Sequence, residues 1–379
     1  VALCANIDLI DFMVTLGMKA LPEIPSRRET IQAFKGIGGK VAGVLPIHYP
    51  RALLRAFNIL PVEIWGPPGI DPIFGSAHIQ PYICSIVRNA LSFIQTAPFE
   101  AVDILLVPHA CDSLQGLGSM LLDFIHPQQP VLPLYLPRGG GMNQVSFLKD
   151  EIESLYLRLE NWTGTSPSRD EMMQRILEEE NADQKLALLH EQRQNLNLSN
   201  IVFYRLVRAR EYLPAEDFSQ IAESALDQAQ EDRLDGIPIL LSGILPEPMA
   251  LLDEITQMGG LIVADDLACC GRRLYPEGRS QEPFLRMSED LLGSAPSWSW
   301  GSPIQDRIEH LKALVQDSGA RGVVFYNIKF CEPECFDLPN LRQMLNTIAI
   351  PSTVVEVDIN DPLSNQVLTR IEAFLEMIA

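Results

Sequence analysis

The sequence has little positive charge. Against 49 Asp and Glu stand only 29 Lys and Arg, a formal net charge of -20. A phosphate backbone is therefore repelled rather than gathered, which excludes nucleic acid as a partner. No apolar run approaches the ~18 unbroken residues needed to span a bilayer. The apolar first segment, VALCANIDLIDFMVTLGMKAL, is interrupted by Asp8 and Asp11, follows no basic residues and precedes no small-residue cleavage site. An amphipathic helix fits it better than a signal peptide, and a soluble, cytoplasmic protein with no membrane contact is expected. Neither a Walker sequence nor a G-x-G-x-x-G fingerprint occurs, so ATP hydrolysis and dinucleotide binding would belong to another protein. A compact C-x-x-C array of the ferredoxin type is missing too.

What is present is a chain of 379 residues, 47% hydrophobic and 21% charged. That composition is globular, and the length suggests two or three domains. Seven cysteines (Cys4, Cys84, Cys111, Cys269, Cys270, Cys331 and Cys335) are odd in number and widely spaced. Structural disulfides are disfavoured in that pattern, leaving inert buried thiols or metal ligands.

The order of patterns is that of an α/β protein. After GIGGK at Gly36 to Lys40, strands are predicted at Val41 to Leu45, Val62 to Trp65, around Ile104 to Val107 and at Val131 to Leu136, with helices between them. Alternating strands and helices argue a parallel sheet with right-handed crossovers. Between about Phe147 and Asp232 the pattern turns to helical spacing with dense acidic charge and no strand-like run. From Gly236 the alternation returns, with strands at Ile237 to Leu241, Leu261 to Ala264, Val323 to Tyr326 and Thr353 to Val357. The expected fold is thus two doubly wound parallel-sheet lobes facing a cleft, plus a helical subdomain. The boundaries read as an N-terminal helical arm at 1–36, a first lobe at 37–146, the helical subdomain at 147–233 and a second lobe at 234–379.

Cysteine positions follow this scheme. In VDILLVPHACDSLQG the buried strand delivers Cys111 to its carboxyl end, where open α/β sheets place ligands. GVVFYNIKFCEPECFD does the same for Cys331 in the second half. Cys84 opens the predicted helix CSIVRNALSFI, where free amides and the helix dipole favour a thiolate. Three thiolates converging from separate elements would leave a four-iron, four-sulfur cluster with one open iron.

PYICSIVRNAL, VPHACDSL, ADDLACCGRR, KFCEPECFD and VVEVD followed by TRIEAFLEM resemble, in order, landmarks of the 2-hydroxyacyl-CoA dehydratase family, which includes subunits of benzoyl-CoA reductase. The similarity runs from about Gly39 to the C-terminus. It implies an oxygen-sensitive catalytic component of paired homologous subunits, each holding a four-iron, four-sulfur cluster, served by a separate ATP-dependent activator iron-sulfur protein. The substrate implied is a 2-hydroxyacyl-CoA, whose thioester becomes a ketyl radical and loses its hydroxyl. By position, Cys84, Cys111 and Cys331 match the three cysteine ligands. A benzoyl-CoA reductase-like activity or a non-catalytic, cluster-carrying partner are the alternatives.

Relatives usually show Ser/Thr-Tyr-Val-Pro where this chain has Ile47-His48-Tyr49-Pro50. Either His48 does proton work in place of the missing hydroxyl, or this subunit is the partner that does not hold substrate. His109 is a candidate hydrogen-bond donor behind the cluster. Arg138, in Arg138-Gly139-Gly140-Gly141, and Arg272, in Arg272-Arg273, are candidates for CoA phosphate contacts. Cys269, Cys270 and Cys335 are lesser candidates as ligands, and Cys4 reads as packing.

Overall fold

A computed structural model describes residues 23–379 apart from 46, 66–69, 97–100, 140–141 and 231–233. The amphipathic segment with Cys4, and Gly140 and Gly141 of the Arg138 loop, lie outside the described residues. Two four-stranded sheets, each wholly parallel, form the frame. The first holds β1 (Lys40–Val44), β2 (Ile59–Glu63), β3 (Ile104–His109) and β4 (Val131–Tyr135) in the order β2-β1-β3-β4. The second holds β5 (Ile237–Gly243), β6 (Gly260–Leu267), β7 (Gly322–Ile328) and β8 (Ser352–Val357) in the order β6-β5-β7-β8. The two orders are the same topology, so the expected pair of parallel-sheet lobes is what the chain forms.

Central strands are buried on both faces, as parallel sheets covered by helices require. All seven residues of β7 are buried, as are the first five of β3. β2 begins three residues before the sequence pattern suggested. Its Pro61 reads as a strand breaker, but β2 lies at a sheet edge, where a missing N–H leaves no ladder bond unmade.

Helices supply the crossovers. In the first half they are α1 (Arg27–Gly36), α2 (Arg51–Ala56), α3 (Ile73–Ser76), α4 (Ser85–Thr96) and α5 (Asp112–Met120), the last extended by one π turn at Leu121–Ile125. The acidic middle forms α6 (Met142–Thr163), α7 (Arg169–Glu191), α8 (Asn200–Ala209) and α9 (Ala215–Leu226) with no strand among its described residues. Ser168 starts α7 with a capping box: its hydroxyl accepts from the Glu171 N–H while the Glu171 carboxylate accepts from the Ser168 N–H. The second half adds α10 (Ala250–Gln257), α11 (Pro283–Leu292), α12 (Ile304–Ser318), α13 (Glu332–Thr347) and α14 (Asn365–Ile378). No described helix is long and apolar enough to cross a membrane.

One buried apolar cluster runs continuously from Phe34 on α1 through both sheets to Ile378 on α14. A smaller one, with Leu240, Val263, Val323, Phe325, Leu311 and Leu345, lies between β5, β6 and β7 and helices α12 and α13. Close packing at the carboxyl end of β5 is tight enough to admit only glycine. A Cβ on Gly243, at φ +155, falls 2.2 Å from the Tyr326 carbonyl oxygen on neighbouring β7. Gly243→Ala is therefore expected to destabilise the protein by about 1–3 kcal/mol, seen as a lowered thermal midpoint; an unchanged midpoint would contradict this packing.

Candidate functional site

In a parallel α/β sheet the ligand crevice lies beyond the carboxyl ends of the strands, where strand order reverses. Here two such places, between β1 and β3 and between β5 and β7, open onto one shared cavity. Its walls come in corresponding pairs. Leu45 and Ile47 follow β1, and Ile244 follows β5; Trp65 follows β2, and Cys269 follows β6; Cys111 follows β3, and Cys331 follows β7. Cys84, at the start of α4, completes the set of thiols. The structure thus brings Cys84, Cys111 and Cys331 together although they are far apart in the chain.

Each of the three cysteines sits at a helix N-terminus: Cys84 immediately before α4, Cys111 as the N-cap of α5 and Cys331 as the N-cap of α13. Three positive helix ends therefore point at the cavity, an arrangement suited to an anionic group. The thiols themselves are not activated. Burial pushes the Cys84 thiol up, and it pushes Cys111 up to about 12 and Cys331 well above the ordinary thiol value. The three also oppose one another's ionisation: Cys84 acts on Cys111, and both act on Cys331. Amide groups of the first helical turns, Ile86 and Val87 at Cys84 and Ser113 and Leu114 at Cys111, pull the other way and lose. The thiolate that the helix position suggests at Cys84 therefore does not form from the helix alone, because desolvation outweighs the dipole.

A cation in the cavity reverses that balance, since metal coordination deprotonates a thiol outright. Among the described residues no three His, Cys, Asp or Glu side chains converge tightly enough for a single metal ion. The cavity's donors are soft sulfurs with no carboxylate or imidazole, spread around a void rather than about a point, and this set fits a multi-iron sulfur cluster.

His48 lies elsewhere. Its ring is 2% exposed and stacks on Trp300 at a centroid distance of 4.2 Å. Both ring nitrogens are engaged. Ser299 spends its hydroxyl proton on Ser297 Oγ at 2.9 Å and so accepts from His48 Nε2 at 3.0 Å. In the neutral ring Nδ1 is then the acceptor of the Tyr275 hydroxyl at 3.0 Å, and Tyr275 Oη in turn accepts from Arg273 Nε at 3.1 Å. Burial, then Arg273 and Arg272, hold the imidazole well below its ordinary value, so it is neutral with both nitrogens engaged. His48 is not among the residues that line the cysteine cavity: the ring anchors the Ser297–Trp300 turn, whose Trp298 forms a wall of that cavity.

Arg272 does not reach outward either. It is 1% exposed, pairs with Asp266 at 2.9 Å and Glu334 at 2.7 Å, and donates to the Gly243 carbonyl at 2.9 Å. A guanidinium so buried and so engaged ties β6 to α13. Arg138 is exposed and donates to the carbonyl of Ala110, one residue before Cys111. His109 packs edge-on against Tyr135 at 4.6 Å and over Gly118, and its nitrogens have no protein partner. Cys335 is exposed, and Cys270 is buried beside Asp265.

Sequence reasoning undervalued Cys269 and missed Trp65, Trp298 and Glu211. The strand-end logic that located Cys111 and Cys331 applies equally to LIVADDLACC, where a strand delivers Cys269. Glu211 had no such signal. It is 4% exposed and binds Arg51 at 2.6 Å and Arg273 at 2.8 Å, pairs made only in the tertiary structure.

Two expectations follow. Because the folded His48 resists protonation, the unfolded chain binds more protons as pH falls below about 6.5, and stability falls with it. Denaturation midpoints between pH 7 and 5 should show this slope, flattened in His48→Gln; an equal slope in the variant would refute the assignment. Arg272→Ala is expected to cost about 3–5 kcal/mol by denaturant unfolding, since buried carboxylates lose their partner, while Arg138→Ala stays within about 0.5 kcal/mol of the parent.

The chain is 24% identical over 370 residues to the beta subunit of (R)-2-hydroxyglutaryl-CoA dehydratase of Acidaminococcus fermentans, covering 93% of this chain and 96% of that one. It is 22% identical over 352 residues to the (R)-phenyllactyl-CoA dehydratase beta subunit of Clostridium sporogenes, covering 90% and 92%. With a benzoyl-CoA reductase subunit of Thauera aromatica it shares 26% over 329 residues, covering 82% and 84%. The family described as 2-hydroxyglutaryl-CoA dehydratase, D-component, matches residues 46–378, and the chain belongs to that family.

Proposed function

We propose that the chain is an iron-sulfur subunit of a 2-hydroxyacyl-CoA dehydratase-type enzyme, in which Cys84, Cys111 and Cys331 hold a four-iron, four-sulfur cluster. The observation that carries this reading is the meeting of three thiols, each at a helix N-terminus, in one apolar cavity at the carboxyl ends of two parallel sheets. Such a cluster, when bound, supplies one-electron chemistry at low potential. The removal of water from a 2-hydroxyacyl-CoA through a one-electron-reduced thioester calls for that chemistry. Relatives named as dehydratase beta subunits support the reaction class and support a second, homologous subunit as partner.

The chain's own residues have definable tasks in this reading. Leu45, Ile47, Ile86, Leu114 and Ile244 exclude water from the cavity, and the helix N-termini of α4, α5 and α13 stabilise its negative charge. Arg138 meets an acyl-CoA phosphate in this reading, a task supported by its exposure beside the Cys111 turn. Electrons come from a separate ATP-dependent activator, since the sequence carries no nucleotide-binding fingerprint. A location in the cytoplasm suits a low-potential cluster in a strongly acidic protein. The relative named as part of a benzoyl-CoA reductase favours one second reading, reduction of an aromatic acyl-CoA with the same cluster.

Anaerobic purification should give about four irons and about four sulfides per chain. Single replacement of Cys84, Cys111 or Cys331 by Ala is expected to remove most of both while the far-ultraviolet spectrum keeps its helical signal. A folded, iron-free parent protein would reject the proposal.

A further inference from the structure

A buried carboxyl stands behind the Trp65 wall of the thiol cavity. Glu63 closes β2, and its side chain is wholly shielded from solvent. Only one of its oxygens is engaged. Oε2 pairs with Arg208 Nη2 and accepts from Arg27 Nη2 at 3.4 Å, whereas Oε1 has no hydrogen-bond partner among the described residues. Two residues on, Trp65 lines the cavity, and the Arg208 guanidinium lies over its indole at 4.2 Å. Arg208 Nη1 also donates at 3.2 Å to the carbonyl of Cys269, another wall residue. A single arginine thus touches Glu63 and two walls of the cavity.

Charge around Glu63 is unevenly held. Glu211 has two arginines of its own, Arg51 at 2.6 Å and Arg273 at 2.8 Å, and keeps its charge. Glu63 has only the shared Arg208 and the partly exposed Arg27. Burial and the Glu211 charge oppose its ionisation, Arg208, Arg27 and Arg273 favour it, and the carboxyl is held above its ordinary range. Tyr212, after α8, also feels the Glu63 charge, and Glu247, after β5, draws on the same Arg208 and Arg27. On the side of β6, Glu63 opposes ionisation of the Cys269 and Cys270 thiols. Such an effect is reciprocal: negative charge at the Cys269 wall strengthens proton binding at Glu63 by the same amount.

We propose that Glu63 is a proton site linked to the charge in the cavity, taking a proton on Oε1 when an electron enters and so freeing Arg208 to neutralise that electron. The electron comes from the activator and the proton from water on the Arg27 side, so the summed charge of cavity and wall is unchanged. The inference rests on the iron-sulfur reading above and adds to it a positioning residue that sets the potential without lining the cavity.

The test is a reductive titration of the iron-loaded full chain from about pH 6 to about pH 10, followed by electron paramagnetic resonance. As pH rises, the oxidised protein loses the Glu63 proton before the reduced protein does. The midpoint potential should therefore be level at first and then fall with a slope approaching one proton per electron. On that slope, the reduced-minus-oxidised infrared spectrum should gain a protonated carboxyl band. Glu63→Gln, which resembles the protonated acid, should keep the level potential throughout and lack the band. A parent whose potential ignores pH, or a bend that persists unchanged in Glu63→Gln, overturns the proposal. If Glu63→Gln does not retain its iron, Glu63→Asp takes its place and should shift the bend; an unshifted bend then overturns it. An iron-free parent would instead end the iron-sulfur reading as a whole, so the two failures are distinguishable.

Discussion

The carboxylate of Glu211 is the point on which the arrangement of the two sheets depends. It follows α8 in the helical region, accepts Arg51 Nη2 at 2.6 Å from the first half and Arg273 Nη1 at 2.8 Å from the second, and receives the Tyr49 hydroxyl at 3.3 Å. Despite burial, the arginines hold its carboxyl far below the ordinary value, so the charge is permanent. Arg51 continues to Asp183 at 3.4 Å, and Asp183 to Arg210 at 2.8 Å, so the helices of the acidic middle are bound into the same network. A buried carboxylate satisfied only when three separate chain segments meet selects one relative placement of those segments.

That placement makes a site from two halves. Parallel strands put their carboxyl ends on one side, and two sheets of the same topology turned toward each other make those ends share a space. Each sheet contributes the residues after its first, second and third strands, which is why the cavity walls occur in corresponding pairs. The pairing is architectural throughout and chemical only in part. Leu45 and Ile47 match Ile244 as hydrocarbon, and Cys111 matches Cys331 as sulfur, whereas Trp65 and Cys269 occupy equivalent positions with different chemistry.

The aromatic turn at Ser297–Trp300 links the ion network to the cavity. Arg273 pairs with Glu211 and also donates to Tyr275, which orients His48, which in turn holds Ser299. Trp298 follows from that turn and is fixed by Glu334, three residues beyond Cys331. Glu334 is shared with Arg272, so the wall of the cavity and the end of β6 are secured by the same carboxylate. A histidine that looks reactive by its chemistry is, in this setting, a fixed strut.

By itself the sequence determined the fold class, the strands of both halves and the three cysteines at element ends. Each of these follows from local patterns: runs of branched residues for buried strands, helical spacing for the acidic middle, and the first sulfur after a strand or at the mouth of a helix. Family membership was legible for the same reason, since its landmarks are short and ordered along the chain. Only the tertiary structure decided that Arg272 is an internal tie, that His48 has no free nitrogen, and that Cys269 shares the cavity. Those outcomes depend on Glu334, Tyr275, Ser299 and Ile244, each supplied from another part of the chain, and no local pattern records which distant group will satisfy a buried charge or face a buried thiol.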